Sequence, residues 1–115
     1  MLFRSAKATA HAFDMLAQEA CAEVAKPEWW SDEGLKALSA SVVRAAPDDL
    51  QANQMRGMVL GGQHGASWEA GPRSAAELRE AATHYERAAA LCPAPAQKAD
   101  YAGSAAWCRS RAEVM

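Results

Sequence analysis

Apolar side chains recur along this chain at steps of three and four, and no stretch alternates strictly between apolar and polar. That spacing predicts amphipathic helices and argues against a sheet. A first helix is expected over roughly 5–25, with Phe13, Leu16, Ala20 and Val24 on one stripe and Lys26-Pro27 as its stop. After the connector "PEWWSDEG", a second runs over about 32–46. Ser31 or Asp32 is its cap, Leu35, Leu38 and Val42 form its buried stripe, and Pro47 ends it. Asp48 and Asp49 open a third helix, about 49–61, as cap and first-turn acid. It carries Leu50, Met55, Met58 and Val59 and fades at Gly61-Gly62. The segment "GGQHGASWEAGPR", residues 61–73, has no helical period and reads as a surface loop. Ser74 and Glu77 then form a capping box. The fourth helix, about 75–91, turns Leu78, Ala81, Tyr85 and Ala88 inward. Pro93 and Pro95 interrupt the chain, and a fifth helix, about 96–112, offers Ala99, Ala102, Gly103, Ala106 and Trp107 as its stripe. Five helices with short links predict antiparallel neighbours in an all-α fold, one domain spanning 1–115.

Two offsets repeat. Gly57 follows Pro47 by ten residues, and Gly103 follows Pro93 by ten. Glycine inside a helix costs about 1 kcal/mol relative to alanine. Its recurrence therefore predicts a neighbouring helix passing too close for a side chain at both positions. Ala81, Tyr85, Ala88 and Pro93 stand at steps of four, three and five. Together with the two glycines, this series resembles the tetratricopeptide repeat family, best from Pro47 to about Arg111. The corresponding residues before Pro47 are Leu35, Ser39 and Val42, a weaker match. Asn53 and Leu60 stand where the family carries tryptophan and tyrosine. The two prolines lie 46 residues apart, against about 34 in the family, and the excess falls in the loop 61–73. Closure entropy grows slowly with loop length, so an insertion there costs little. The resemblance implies a short right-handed solenoid of stacked helix hairpins. Its fifth helix would close the array, or the chain is a fragment of a longer one.

Composition refines this picture. Half the residues are hydrophobic, but many are alanine, there is no isoleucine and there are only two phenylalanines. Alanine favours helix and close helix approach. The net charge of -2 argues against nucleic acid as a partner. Six acids against one base between Asp14 and Glu33 read as a solvated face, with docking of a basic partner as the less favoured alternative. Cys21, Cys92 and Cys108 form no CxxC pair and are expected as reduced, packed thiols, which fits an intracellular, cytoplasmic setting. The opening, with Arg4 and Lys7 and no acid before Asp14, hints weakly at organelle import. No apolar run is long enough to span a membrane.

Catalytic signatures are not expected, and the sequence reads as a non-enzyme. "GGQHGASW" lacks the lysine of a phosphate-binding loop, and Ser67 has no nucleophile-elbow context. Glu80 and His84 share a helix face without a further ligand, so surface residues and no metal are expected. Of Trp29 and Trp30, one ring is expected buried and one partly exposed. Trp68 is either a lid packed over the hairpin or a loop contact for a partner. Carried over by position, the family's ligand groove here holds Gln51, Gln54, Met58, Gln97, Asp100, Ser104 and Trp107. It lacks the basic cluster with which relatives grip a C-terminal carboxylate. These residues imply a protein–protein interaction module that binds another protein or a peptide, with no cofactor. Met58 and Trp107 are its expected anchors and Gln51, Gln54 and Gln97 its hydrogen-bonding groups. The alternative is a small structural subunit or assembly factor of a larger complex.

Overall fold

The structure, a computed structural model, describes residues 5–18, 28–62, 68 and 70–115. Among these it contains five helices and no strand: α1 (Ala6–Gln18), α2 (Asp32–Ala45), α3 (Leu50–Gly61), α4 (Ala75–Leu91) and α5 (Pro95–Glu113). Each helix packs on the next in sequence, and α1 also reaches across to α3. The layering places α4 between α3 and α5, its most extensive neighbours.

The helix starts follow from local chemistry. Ser31 caps α2 by accepting from Gly34 N–H, which leaves Asp32 free for another task. Asp49 alone caps α3, accepting from Ala52 N–H, and Asp48 lies one residue ahead of the cap, so no acid occupies the first turn. Ser74 and Glu77 form both hydrogen bonds of the capping box. Pro95 begins α5 as its first residue; it does not break the chain there, because a first-turn residue has no intrahelical use for an N–H. Gly62 ends α3 in the left-handed region at φ 65°, donating to Met58 O. The expected end of the first helix, with Ala20, Val24 and the Lys26-Pro27 stop, lies outside the described residues.

The core draws on all five helices. Ala10 and Phe13 come from α1, Leu35 and Val42 from α2, and Met55, Val59 and Leu60 from α3. Ala81, Tyr85 and Ala88 of α4 are buried as expected, facing Tyr101, Ala105 and Cys108 of α5. Leu35, Ser39 and Val42, at the same distances from Pro47 as Ala81, Tyr85 and Ala88 from Pro93, are all buried too. Cys92 and Cys108 are buried free thiols, and Cys21 lies outside the described residues.

Three expectations need correction. The face of α5 is rotated: Ala99, Ala102, Gly103, Ala106 and Trp107 are exposed, and Tyr101, Ala105, Cys108 and Ala112 are buried. In a helix this rich in alanine both faces look alike in sequence, each carrying one large aromatic, and Tyr101 is the one that packs on Tyr85. The two glycines also part company. A β-carbon on Gly57 would stand 3.1 Å from the Tyr85 ring, but one on Gly103 would meet nothing within 4 Å. Close approach therefore explains Gly57 only. Finally, Trp29 and Trp30 are both half-buried, with ring centroids 5.8 Å apart.

Candidate functional site

A groove of about 330 Å³ opens between α1, α3 and α5. Asp14 and Ala17 reach it from α1, Gln54 and Met58 from α3, and Asp100, Tyr101 and Ser104 from α5; Tyr85 of α4 also lines it. The helix order produces this shape. Because α4 separates α3 from α5, a cleft is left on the side where α4 shows only Tyr85. Gly57 lets that ring lie flat against α3, and the Tyr101 ring packs beside it at 6.5 Å.

The polar groups of the groove are almost all acceptors or hydroxyls. Gln54 Nε2 donates to Asp14 Oδ1 at 3.2 Å. Tyr101 Oη accepts from Gln97 Nε2 at 3.3 Å, and burial pushes its pKa up to about 12, with the Cys92 and Asp14 charges adding to that. Burial raises Tyr85 as well. Both hydroxyls therefore stay protonated across the physiological range. Tyr85 is 2% exposed and makes no hydrogen bond among the described residues. No fully buried side-chain oxygen among those residues lacks a partner. Its hydroxyl therefore keeps some contact with solvent, and the residue lines the groove. Asp100 has no ion-pair partner among the described residues.

Of the seven residues expected to line a groove, the structure brings four together here: Gln54, Met58, Asp100 and Ser104. Met58 is buried and forms wall, not a projecting anchor. Gln51 stands by His11, 3.5 Å from its Nδ1. Gln97 is turned to Tyr101 and to the Cys92 sulfur. Trp107, 43% exposed, stands apart from the groove under the Arg111 guanidinium at 5.3 Å. Asp14, Ala17, Tyr85 and Tyr101 were not expected as lining. Tyr101 was findable, since Gln97, Tyr101 and Ser104 stand at steps of four and three. Asp14 was not, because α1 lies outside the segment that carries the repeat pattern.

Trp68 and residues 70–73, the described part of the segment before α4, pack down on the helices. Trp68 is 5% exposed, its ring meeting Phe13 at 6.0 Å and Trp30 at 5.9 Å, so it is not presented to a partner. Asp32, released from capping, holds this loop. It accepts from Trp68 Nε1, Gly71 N–H and two nitrogens of Arg73, the shortest at 2.6 Å. Arg73 in turn donates to Val59 O and Leu60 O, carbonyls left over at the end of α3. The Arg73 hydrogen bonds, then those from Gly71 and Trp68, hold the Asp32 pKa down to about 2 against the opposing effect of burial.

His84 is likewise structural and is mostly buried, not a surface residue as expected. Asn53 Nδ2 donates to Pro47 O and Asp49 O, so its Oδ1 must accept from His84 Nδ1–H at 2.9 Å. Glu80 lies 3.4 Å from the other ring nitrogen but also pairs with Arg56. Burial lowers the His84 pKa more than Glu80 raises it. No group of three potential metal ligands occurs among the described residues. No helix among them is long and apolar enough to cross a membrane. Comparison with family models, curated proteins and solved structures returns no match.

Proposed function

We propose that this chain is a non-enzymatic protein–protein interaction module, a short tetratricopeptide-like array that binds a peptide segment in the groove between α1, α3 and α5. The observation that carries the proposal is the groove itself: its apolar wall of Met58, Tyr85 and Tyr101 is joined by the polar Gln54, Asp14, Asp100 and Ser104. Apolar walls with a few convergent polar groups mark ligand sites, and the volume stands at the small end of the range for such sites. It suits one or two side chains of an extended peptide. The array is supported by the matching burial of Leu35, Ser39 and Val42 with Ala81, Tyr85 and Ala88, and by Tyr85 resting on Gly57. The half-exposed Ser104 provides the test. Ser104→Trp fills the groove from its rim, and it should abolish binding of peptides selected on the wild-type chain while leaving thermal unfolding unchanged. Retention of binding would refute the groove as the site.

A second role is favoured by a separate observation. Ala99, Ala102, Gly103 and Ala106 leave one face of α5 small and exposed with the Trp107 ring beside them, as a helix docking into a larger assembly would need. Under that alternative, a subunit or assembly factor, Gly103→Leu would block complex formation and Ser104→Trp would not.

A further inference from the structure

We infer that the groove takes a basic side chain, lysine or arginine, from the peptide. The inference rests on the peptide-binding role proposed above and names what the peptide must carry.

The first support is charge. Two carboxylates, Asp14 and Asp100, line the groove, and among the described residues no lysine, arginine or histidine does. Asp14 acts on the interior: its charge helps to raise the Tyr101 hydroxyl. The second support is the Tyr85 hydroxyl. It belongs to a groove-lining residue 2% exposed, is not fully buried and has no hydrogen-bond partner among the described residues. A hydroxyl so placed is satisfied by a group that donates, accepts or both. The carboxylates beside it can only accept. A ligand head that only donates, with several N–H groups, therefore meets all of them at once. An acidic or carbonyl head would leave Asp14 and Asp100 facing an acceptor.

The third support is the shape of the remaining wall. Met58, Ala17 and the faces of Tyr85 and Tyr101 are apolar. Lysine and arginine carry long aliphatic stems that pack on such surfaces while the charged head reaches polar groups. A small inorganic cation would find the carboxylates but leave the wall unused. An all-apolar side chain would bury against the wall but strip water from the Asp100 carboxylate without replacement. The groove thus matches an amphipathic cation in both of its parts.

The test is a selection from a displayed library of random peptides of about twelve residues, followed by titration of the recovered peptides as synthetic probes. The recovered sequences should share a lysine or arginine. Replacing it with norleucine should weaken binding about tenfold, and Asp14→Asn with Asp100→Asn should weaken it by a similar factor. The two changes together should cost little more than either alone, as expected of one shared contact. Asp100→Asn alone, at an exposed position, is the second variant should the Asp14 change disturb folding. Binding should also fall between about 50 mM and about 300 mM salt. Peptides that lose binding on Ser104→Trp but share no basic residue and ignore Asp100→Asn would overturn the inference and leave the groove in place. Recovery of no peptide, or of peptides indifferent to Ser104→Trp, would overturn both.

Discussion

At the scale of single residues, Asp32 has the largest task. It neutralises Arg73, whose side chain is 6% exposed, and holds Trp68 and Gly71. Asp32→Asn should lower unfolding free energy by about 3 kcal/mol, because it strands a buried guanidinium; chemical denaturation at neutral pH measures this. The pH dependence has a definite sign. The folded pKa is depressed to about 2 from 3.8, so the ionised carboxylate stabilises the fold above 3.8 and that stabilisation, roughly 2 kcal/mol, is lost as pH falls toward 2. The stability gap between wild type and Asp32→Asn should therefore narrow over that interval and stay constant above it. Gly57 makes a second residue-scale case. Gly57→Ala gains helix propensity but drives a methyl into the Tyr85 ring, which is packed on its other side by Tyr101. The expected net is a loss of about 1 kcal/mol. Gly57 was visible in the sequence as a costly helix glycine with a reason. Asp32 was not, since Ser31 and Asp32 are both good caps and only the fold shows that the loop returns to claim the second.

Among the elements, α4 and α5 differ in how far their sequences disclose them. Helix α4 was legible to the residue, at 75–91, because a capping box marks its start and Leu78, Ala81, Tyr85 and Ala88 contrast with charged residues between them. The extent expected for helix α5 was right within a residue or so but the face was wrong, because alanines surround it and an aromatic stands on each face, Tyr101 inside and Trp107 outside. Its exposed glycine provides a direct check. Gly103→Ala meets nothing within 4 Å and should raise stability by about 1 kcal/mol, opposite in sign to the same change at Gly57. Equal effects at the two positions would contradict the placement of α5. Packed on both sides, α4 should also show the slowest amide exchange, and α1, whose main contacts among the described residues are with α2 and α3, the fastest of the five; hydrogen exchange read by NMR orders them.

For the molecule as a whole, one core reaches every helix, so thermal unfolding should be a single transition with coincident far- and near-ultraviolet circular dichroism. Early loss of α5 alone would instead point to nearest-neighbour stacking with weak coupling. The all-helical class and the helix order were readable from periodicity and punctuation. The groove was readable only in part: Gln54, Met58, Asp100 and Ser104 meet as expected, but Trp107 faces away, and Asp14 arrives from a helix outside the repeat pattern. Sequence spacing places residues on a face; it does not say which faces of distant helices converge. The aromatic group over Phe13 has a further use. Trp30 and Trp68 meet at 86°, and the Trp68 indole N–H is bound to a carboxylate. Two indoles this close couple through their transition dipoles and contribute to the near-ultraviolet signal of the folded chain. Trp68→Phe would remove that contribution and leave the Trp29–Trp30 pair and the helices in place, so the difference reports on the Trp68 contact in time, separately from the backbone beneath it.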